Sequence, residues 1–172
     1  DSVPNAVPTL IKNIRVWTNE KEGILENADV LLYKGKIHQI GKDILVPEGA
    51  VVINGKGKQL TPGIIDEHYN IAISRGVNEG SQSISAEVSI ADVVNPDDVN
   101  IYRQLAGGIT AAQLLHGSAN PIGGQSALVK LRWGRNAEEM KIKGADGFIK
   151  FALGENVKRS NWGSGDRFPQ TR

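Results

Sequence analysis

The chain has 172 residues, which suits one domain of ordinary size. Its formal net charge of +1 gives no indication of a nucleic-acid or acidic-membrane partner, and no apolar run approaches the roughly 20 residues that cross a bilayer. The absence of cysteine excludes disulfides, thiol nucleophiles and thiolate-bound zinc, so a metal would have only His38, His68 and His116 as imidazole ligands.

Residues 9–60 have the pattern of short β-strands joined by glycine-rich turns. Lys34-Gly35-Lys36 predicts a hairpin, and Asn54-Gly55 predicts a tight turn. We therefore predict an incomplete β-sandwich segment over residues 1–60, in which His38 is structural or merely exposed. The predicted strands cover residues 10–17, 28–33, 37–40 and 50–53.

From residue 61 the pattern changes to apolar strands with at least one helix, which predicts an α/β fold. Asn95 and Pro96 predict a helix start, and Gly107-Gly108 predicts its end. Near-continuous apolar strands are typical of parallel sheets covered on both faces. The expected buried residues of the helix are Ile101, Tyr102 and Leu105, and the expected later strands cover residues 109–115, 126–131 and 147–153.

The stretch from Leu60 to Asn70 reads as a strand whose end carries groups able to bind a metal or a proton. Side chains alternate along a strand, so Asp66, His68 and Asn70 share one face. His68 and Asn70 would then lie roughly 6.5–7 Å apart along the strand. The alternative interpretation is a buried strand that ends in a polar turn.

Lys150 is predicted to lie in the middle of an apolar strand, on the same face as Phe148 and Ala152. A lysine that points into a sheet is costly unless it is paired, neutralised or used. It is a candidate for a Schiff base, a general base, an anion partner or a metal-bridging carbamate. The alternative is a lysine that extends to solvent at the strand end, and Lys130 is a competing candidate in its own strand.

A glycine-rich loop from His116 to Gln125 follows the predicted strand at 109–115. In α/β folds the carboxyl ends of the strands are where ligands bind. The backbone N–H groups of Gly123 and Gly124 are candidates for binding an oxyanion. Glycine-rich turns are common, so this signal alone identifies no ligand.

Four segments together resemble the amidohydrolase superfamily, in particular its imidazolonepropionase-like metal-dependent hydrolases. The resemblance implies a (β/α)₈ TIM-like barrel preceded by a small β-sandwich segment, and it covers nearly the whole chain. It also implies one or two divalent metal ions, most often zinc, that activate water against a linear or cyclic amide. Three of the segments are 28–37, 61–68 and 106–111. The fourth combines two stretches, 118–125 and 148–156.

The resemblance also implies roles for individual residues. His68 matches the first metal ligand, whereas Asn70 stands where the family has a second histidine. Lys150 matches the lysine that many members carry as a carbamylated metal bridge and catalytic group. His116 and Gln125 are the expected substrate contacts.

Members of this family are much longer than 172 residues, so residues 61–172 are expected to be the first half of a barrel. The expected partners are the remaining half of the barrel, in the same or another chain, and a small amide substrate. We expect no nucleic-acid or membrane partner. A homo-oligomer stays open, as does a cytoplasmic, periplasmic or secreted location. The expected function is metal-dependent hydrolysis of a non-peptide C–N or dipeptide-like amide bond, and the isolated chain is expected to be inactive. Because Asn70 replaces a ligand, a catalytically impaired binding or assembly module is the alternative, and a fragment without its own function is a third hypothesis.

Overall fold

The computed structural model describes residues 6–159, and the chain forms two compact units that divide between Pro62 and Gly63. This division lies two residues beyond the predicted one at residue 60. The first unit contains strands β1 (Thr9–Trp17), β2 (Ile24–Tyr33), β3 (Lys36–Gly41), β4 (Val51–Asn54) and β5 (Gln59–Leu60). The second unit contains β6 (Ile64–Tyr69), a 3-10 helix (Ile90–Val93), α1 (Val99–Ala106), β7 (Ile109–Leu114), β8 (Ile122–Gln125), β9 (Ala127–Lys130), α2 (Ala137–Met140), β10 (Ile149–Phe151) and α3 (Glu155–Arg159).

The first unit is a five-stranded sheet in the order β3-β2-β1-β4, with β5 also paired to β1. β1 and β3 flank β2 in antiparallel pairs, whereas β4 and β5 run parallel to β1. The predicted hairpin is present: Lys34 and Gly35 have φ of 50° and 72°. Positive φ at both central residues is what a type I′ turn requires, and its twist matches that of the flanking strands.

A buried carboxylate holds an irregularity in the centre of this sheet. Asp29 is 2% exposed and accepts hydrogen bonds from Asn13 N at 3.0 Å and Ile44 N at 3.1 Å. Asn13 has φ of 56°, and the pairing of β1 with β2 shifts register at this point. The carboxylate therefore satisfies backbone donors that the strand ladder leaves without a partner.

The outer edge of β4 carries apolar side chains on both faces. Val51, Val52 and Ile53 are 53%, 48% and 42% exposed, although successive residues of a strand point in opposite directions. Within the described part of the chain, β4 pairs with β1 alone.

The second unit is mixed α/β and mostly sheet, with a three-stranded sheet in the order β6-β7-β9 and a two-stranded pair β10-β8. β6 and β7 are parallel, as predicted, and α1 lies on the connection between them. β9 pairs antiparallel with β7, and β10 pairs antiparallel with β8, so the parallel arrangement predicted for these strands is wrong. No helix lies between β7 and β9, and a parallel connection normally needs such a crossover.

Helix α1 begins later than the sequence predicts. Its N-cap is Asp98, whose side chain accepts from Asn100 N, and Asn95 instead closes a turn by accepting from Asp97 N at 3.1 Å. Asp98 also accepts from Ala72 N at 2.8 Å, which ties the helix start to the segment after β6. With this start, Ile101 is fully buried, whereas Tyr102 is 57% exposed and the prediction that it is buried is wrong.

The core of the second unit lies between β6, β7, β9, α1 and α2. Asn136 caps α2 as predicted, with a reciprocal contact between its side chain and Glu139. No helix within residues 6–159 is long and apolar enough to cross a membrane. The buried core residues are Tyr69, Ala72, Ile90, Val94, Ile101, Ala112, Leu114, Ala127, Val129, Leu131 and Met140.

The strand predicted over residues 147–153 is shorter and more exposed than expected. β10 comprises Ile149–Phe151, and Phe151 and Leu153 are 64% and 92% exposed. The prediction of a buried strand is therefore wrong for this part of the chain, because the described residues cover only one edge of β10. Residues 160–172 of the predicted half-barrel lie outside the described residues.

Candidate functional site

An open cavity of ≈ 500 Å³ lies in the second unit at the carboxyl ends of β6 and β7. This is the edge at which α/β folds usually bind ligands. Its walls come from the end of β6, the loop after it, the loop after β7 and the start of α3. The lining residues are His68, Asn70, Asn78, Gly117, Ser118, Ala119 and Asn156.

His68 lies one residue before the end of β6, with its side chain exposed. Its neighbour Tyr69 is 4% exposed and belongs to the core, so the alternation of faces places His68 toward the cavity. Asp66 was predicted to share this face, but it does not line the cavity. Its carboxylate accepts from His68 N at 2.9 Å and therefore supports the strand end instead.

Asn70 follows β6 directly and joins the ends of the two parallel strands. Its amide faces two backbone carbonyl oxygens, that of Leu115 at 3.1 Å and that of Tyr69 at 3.2 Å, so its nitrogen is the atom on that side. Leu115 N in turn donates to Tyr69 O at 3.2 Å. The side chain thus extends the pairing of β6 and β7 by one residue.

Asn78 forms part of the cavity wall because its loop is bound to the loop after β7. Gly117 N donates to Val77 O at 2.8 Å, and Ala119 N donates to Asn78 Oδ1 at 3.4 Å. A Cβ added to Gly117 would lie 2.1 Å from Asn78 Oδ1, so only glycine allows this close approach.

A second contact between these loops is made by a buried side chain. Asn120 is 2% exposed, and its Nδ2 donates to Glu79 O at 2.8 Å and to Ser85 Oγ at 2.9 Å. Ser85 Oγ donates in turn to Gly123 O at 3.2 Å. Residues 77–85 are therefore held against residues 116–123 on both sides of Asn78.

His116 is buried and does not line the cavity. It is 4% exposed, and its Nδ1 has no hydrogen-bond partner in the described part of the chain. Burial lowers the pKa of its imidazole, and the nearby Glu79 carboxylate partly opposes this shift. The ring packs against Gly124, where an added Cβ would lie 2.8 Å from His116 Cε1. The expected role of His116 as a substrate contact stays a prediction.

The two glycines considered for oxyanion binding lie inside β8 and are buried. Gly124 has φ of 124°, and an added Cβ would lie 2.5 Å from Val88 O and 2.9 Å from Ser85 O. Backbone of another segment therefore occupies the space beside Gly124. Gly124 is therefore required for packing. Oxyanion binding by the backbone N–H groups of Gly123 and Gly124 stays a prediction.

Lys150 and Gln125 also lie away from the cavity walls. Lys150 is half-buried in β10 and pairs with Gly124, and its Cγ would lie 3.6 Å from a Cβ on Gly123. Gln125 Nε2 donates to Ala86 O at 3.1 Å. The proposed roles of Lys150 as carbamate bridge and of Gln125 as substrate contact stay predictions.

The donors at the cavity do not fit a divalent metal on their own. Zinc takes three or four imidazole, thiolate or carboxylate ligands, whereas the cavity offers one imidazole, of His68, and amide or hydroxyl groups. Among residues 6–159 there is no group of three or more His, Asp or Glu placed to hold a metal ion. The arrangement can donate and accept hydrogen bonds.

Sequence reasoning identified His68 and Asn70 but missed Asn78, Ser118 and Asn156. Asn78 lies in a polar loop without a recognisable motif, and Ser118 and Asn156 lie in the two stretches, 118–125 and 148–156, of the fourth segment that carries the family resemblance. Their placement at one cavity depends on contacts between loops, which no short motif records.

Comparison with known proteins gives both sequence relatives and similar solved structures. No protein-family model matches the chain. Amidohydrolase tasK of Hapsidospora irregularis is 31% identical over 96% of this chain and 20% of its own length. The dihydroorotase of Geobacter sulfurreducens is 31% identical over 66% of this chain and 29% of its own length.

A crystal structure of an amidohydrolase from Thermotoga maritima has a TM-score of 0.80 and 35% identity to this chain. The match covers 95% of this chain and 43% of that structure. The chain therefore spans less than half the length of these relatives. The sequence identity along almost the entire chain and the matching fold lead to one conclusion: the chain belongs to the amidohydrolase superfamily.

Proposed function

We propose that this chain provides the first strands of a hydrolase that acts on amide C–N bonds, linear or cyclic. The observation that carries the proposal is the cavity at the carboxyl ends of β6 and β7, with His68 in its wall. His68 is also the residue that matches the first ligand of the family. The names of the relatives, amidohydrolase and dihydroorotase, support the same class of reaction.

The proposal includes a metal site that is completed from outside the described residues. Members of the superfamily are generally metal-dependent, and His68 is the donor that this cavity contributes. The remaining half of a (β/α)₈ barrel, in the same or another chain, would supply the further ligands. Whether Lys150 joins them as a carbamate depends on how that half packs against β10.

The need for this remaining half is supported by apolar surface on the second unit. Ile64 and Ile65 of β6 are 56% and 67% exposed, and Phe151 and Leu153 are exposed to a similar or greater degree. β6 pairs with β7 alone within the described chain, so its other edge is open. Further strands that pair with this edge would cover both the backbone groups and the apolar side chains.

The proposal is tested with protein isolated from its source by a tag on this chain. Linear and cyclic amides are screened for hydrolysis, and bound zinc, manganese and iron are measured. His68→Ala should lower the rate more than about a hundredfold and reduce the metal content, as expected for loss of a ligand. His38→Ala, a change of another strand histidine in the first unit, should leave both unchanged. Full activity and metal content in His68→Ala would contradict the proposal.

A binding or assembly module without hydrolysis is the second candidate, and the contact made by Asn70 favours it. The nitrogen of this side chain donates a hydrogen bond to Leu115 O. An amide is also a poor zinc ligand compared with the imidazole that the family has at this position. Near-zero metal in the protein isolated with its remaining half would support this candidate. Asn70→His that raises metal content and hydrolysis together would instead show that the replacement is what limits activity.

A further inference from the structure

We propose that the cavity binds a neutral secondary amide through two asparagines, Asn78 as donor to its carbonyl oxygen and Asn70 as acceptor from its N–H. The inference rests on the proposed function, since it names the groups that would recognise an amide at that site. Neither role follows from the ligand pattern of the family, in which the position of Asn70 is a metal ligand.

The orientation of Asn78 follows from the partners of its oxygen. A carboxamide has one acceptor atom and one donor atom, on opposite sides of the group. Asn78 Oδ1 faces the loop after β7, where it accepts from Ala119 N and lies against Gly117. Nδ2 therefore points away from that loop, and within residues 6–159 no protein group accepts a hydrogen bond from it.

Asn70 has the opposite orientation. Its nitrogen faces the carbonyl oxygens of Leu115 and Tyr69, which turns Oδ1 away from both. Asn70 and Asn78 both line the cavity. The cavity wall therefore has one oriented acceptor, from Asn70, and one oriented donor, from Asn78. A secondary amide carries the complementary pair, a carbonyl oxygen and an N–H.

The described part of the cavity wall offers no charged partner to an ionic ligand. His68 is the one titratable side chain among the described lining residues, and the others contribute amides, a hydroxyl and backbone. Within residues 6–159 the lining therefore gives a carboxylate or phosphate no lysine or arginine, and it gives an ammonium group no carboxylate. A neutral ligand loses less hydration on entering such a site.

The donor is also held in place before a ligand arrives. Asn78 lies between two fixed points, the bond from Gly117 N to Val77 O and the bonds from the buried Asn120 to Glu79 and Ser85. A group that is already ordered costs less conformational entropy on binding. This favours Asn78 as a binding residue over an exposed side chain on a free loop.

The experiment measures binding of four small probes to the full chain by NMR, observing the side-chain amide signals of Asn70 and Asn78. N-methylacetamide represents linear amides and γ-butyrolactam represents cyclic ones. N,N-dimethylacetamide and N-methyl-γ-butyrolactam are the matched probes without an N–H. We expect dissociation constants on the order of millimolar for whichever amide class fits, and about fivefold weaker binding of its N-methylated form.

Variants test each asparagine separately. Asn78→Asp keeps the acceptor for Ala119 N but loses the donor, and should weaken binding of the amide about fivefold. Asn70→Ala should abolish the difference between the amide and its N-methylated form. Asn95→Asp is the control, because Asn95 also uses its oxygen for a backbone N–H, that of Asp97, and lies outside the cavity.

The inference is overturned if neither amide class binds, if N-methylation has no effect, or if Asn78→Asp binds as tightly as the unchanged chain. These outcomes are independent of catalysis. If the amide binds as expected but the protein isolated from its source hydrolyses no amide, the proposed function is rejected and the inference is retained. Hydrolysis with an unchanged KM in Asn78→Asp rejects the inference and retains the proposed function.

Discussion

Replacing Asn120 with alanine should release the wall of the cavity that contains Asn78. Asn120 is 2% exposed and donates to Glu79 O at 2.8 Å and to Ser85 Oγ at 2.9 Å. Each such bond contributes about 1 kcal/mol net, and leaving the buried Ser85 Oγ without this donor adds about 1 kcal/mol. We therefore expect a loss of about 2–3 kcal/mol in the free energy of unfolding of the second unit.

The assay is chemical denaturation followed by NMR signals of the second unit, combined with hydrogen exchange at Gly117 N, which donates to Val77 O. Exchange at this amide should accelerate, because residues 77–85 would separate from residues 116–123 more often. Asn100→Ala is the control: Asn100 contacts an exposed Arg103, so its loss should change stability by less than about 0.5 kcal/mol. If Asn120→Ala matched this control in both stability and exchange, the reasoning on the loop contact would be refuted.

Two further predictions concern buried groups near the site. Tyr69→Phe should leave stability unchanged or raise it by up to about 1 kcal/mol, since the buried hydroxyl has no hydrogen-bond partner among residues 6–159; a loss above that size, measured by denaturation, would contradict this. Burial, with the Asp98 and Asp66 carboxylates, raises the pKa of Tyr69 to about 12. The folded chain therefore favours the neutral form of Tyr69. The stability that depends on this neutral form should be fully present below the ordinary pKa near 10 and be lost as pH rises toward 12. Tyr69→Phe should remove this pH dependence. Gly124→Ala should cost more than about 3 kcal/mol, because Gly124 has positive φ and a Cβ would clash with two carbonyls. Gly80→Ala, where a Cβ meets nothing within 4 Å, should stay within about 0.5 kcal/mol of the unchanged chain, and equal losses at both sites would refute the packing argument.

The parts of the fold that follow from the sequence are those fixed by neighbouring residues. The hairpin at Lys34-Gly35 and the cap at Asn136 each depend on a few adjacent side chains, and both are present. The start of α1 was misplaced by three residues because Asn95 and Asp98 are both good caps. The contact from Ala72 N to Asp98, far apart in sequence, favours the second.

The errors in strand pairing and burial have a related cause. A nearly continuous apolar run indicates a strand covered on two faces, and Phe148 to Leu153 has such a run apart from Lys150. The described residues nevertheless leave Phe151 and Leu153 exposed. At the cavity, the position of His68 followed from strand alternation, whereas that of Asn78 depends on how two loops pack and was not accessible to pattern analysis.

The exposed edge of β4 has a consequence for how this protein behaves in concentrated solution. Val51, Val52 and Ile53 form an uncharged, β-branched segment with an open row of backbone donors and acceptors. Native sheets usually protect such edges with a lysine, a proline or a covering segment, because bare edges pair with one another. Until another element covers β4, this edge is one place from which intermolecular sheet growth and precipitation would begin.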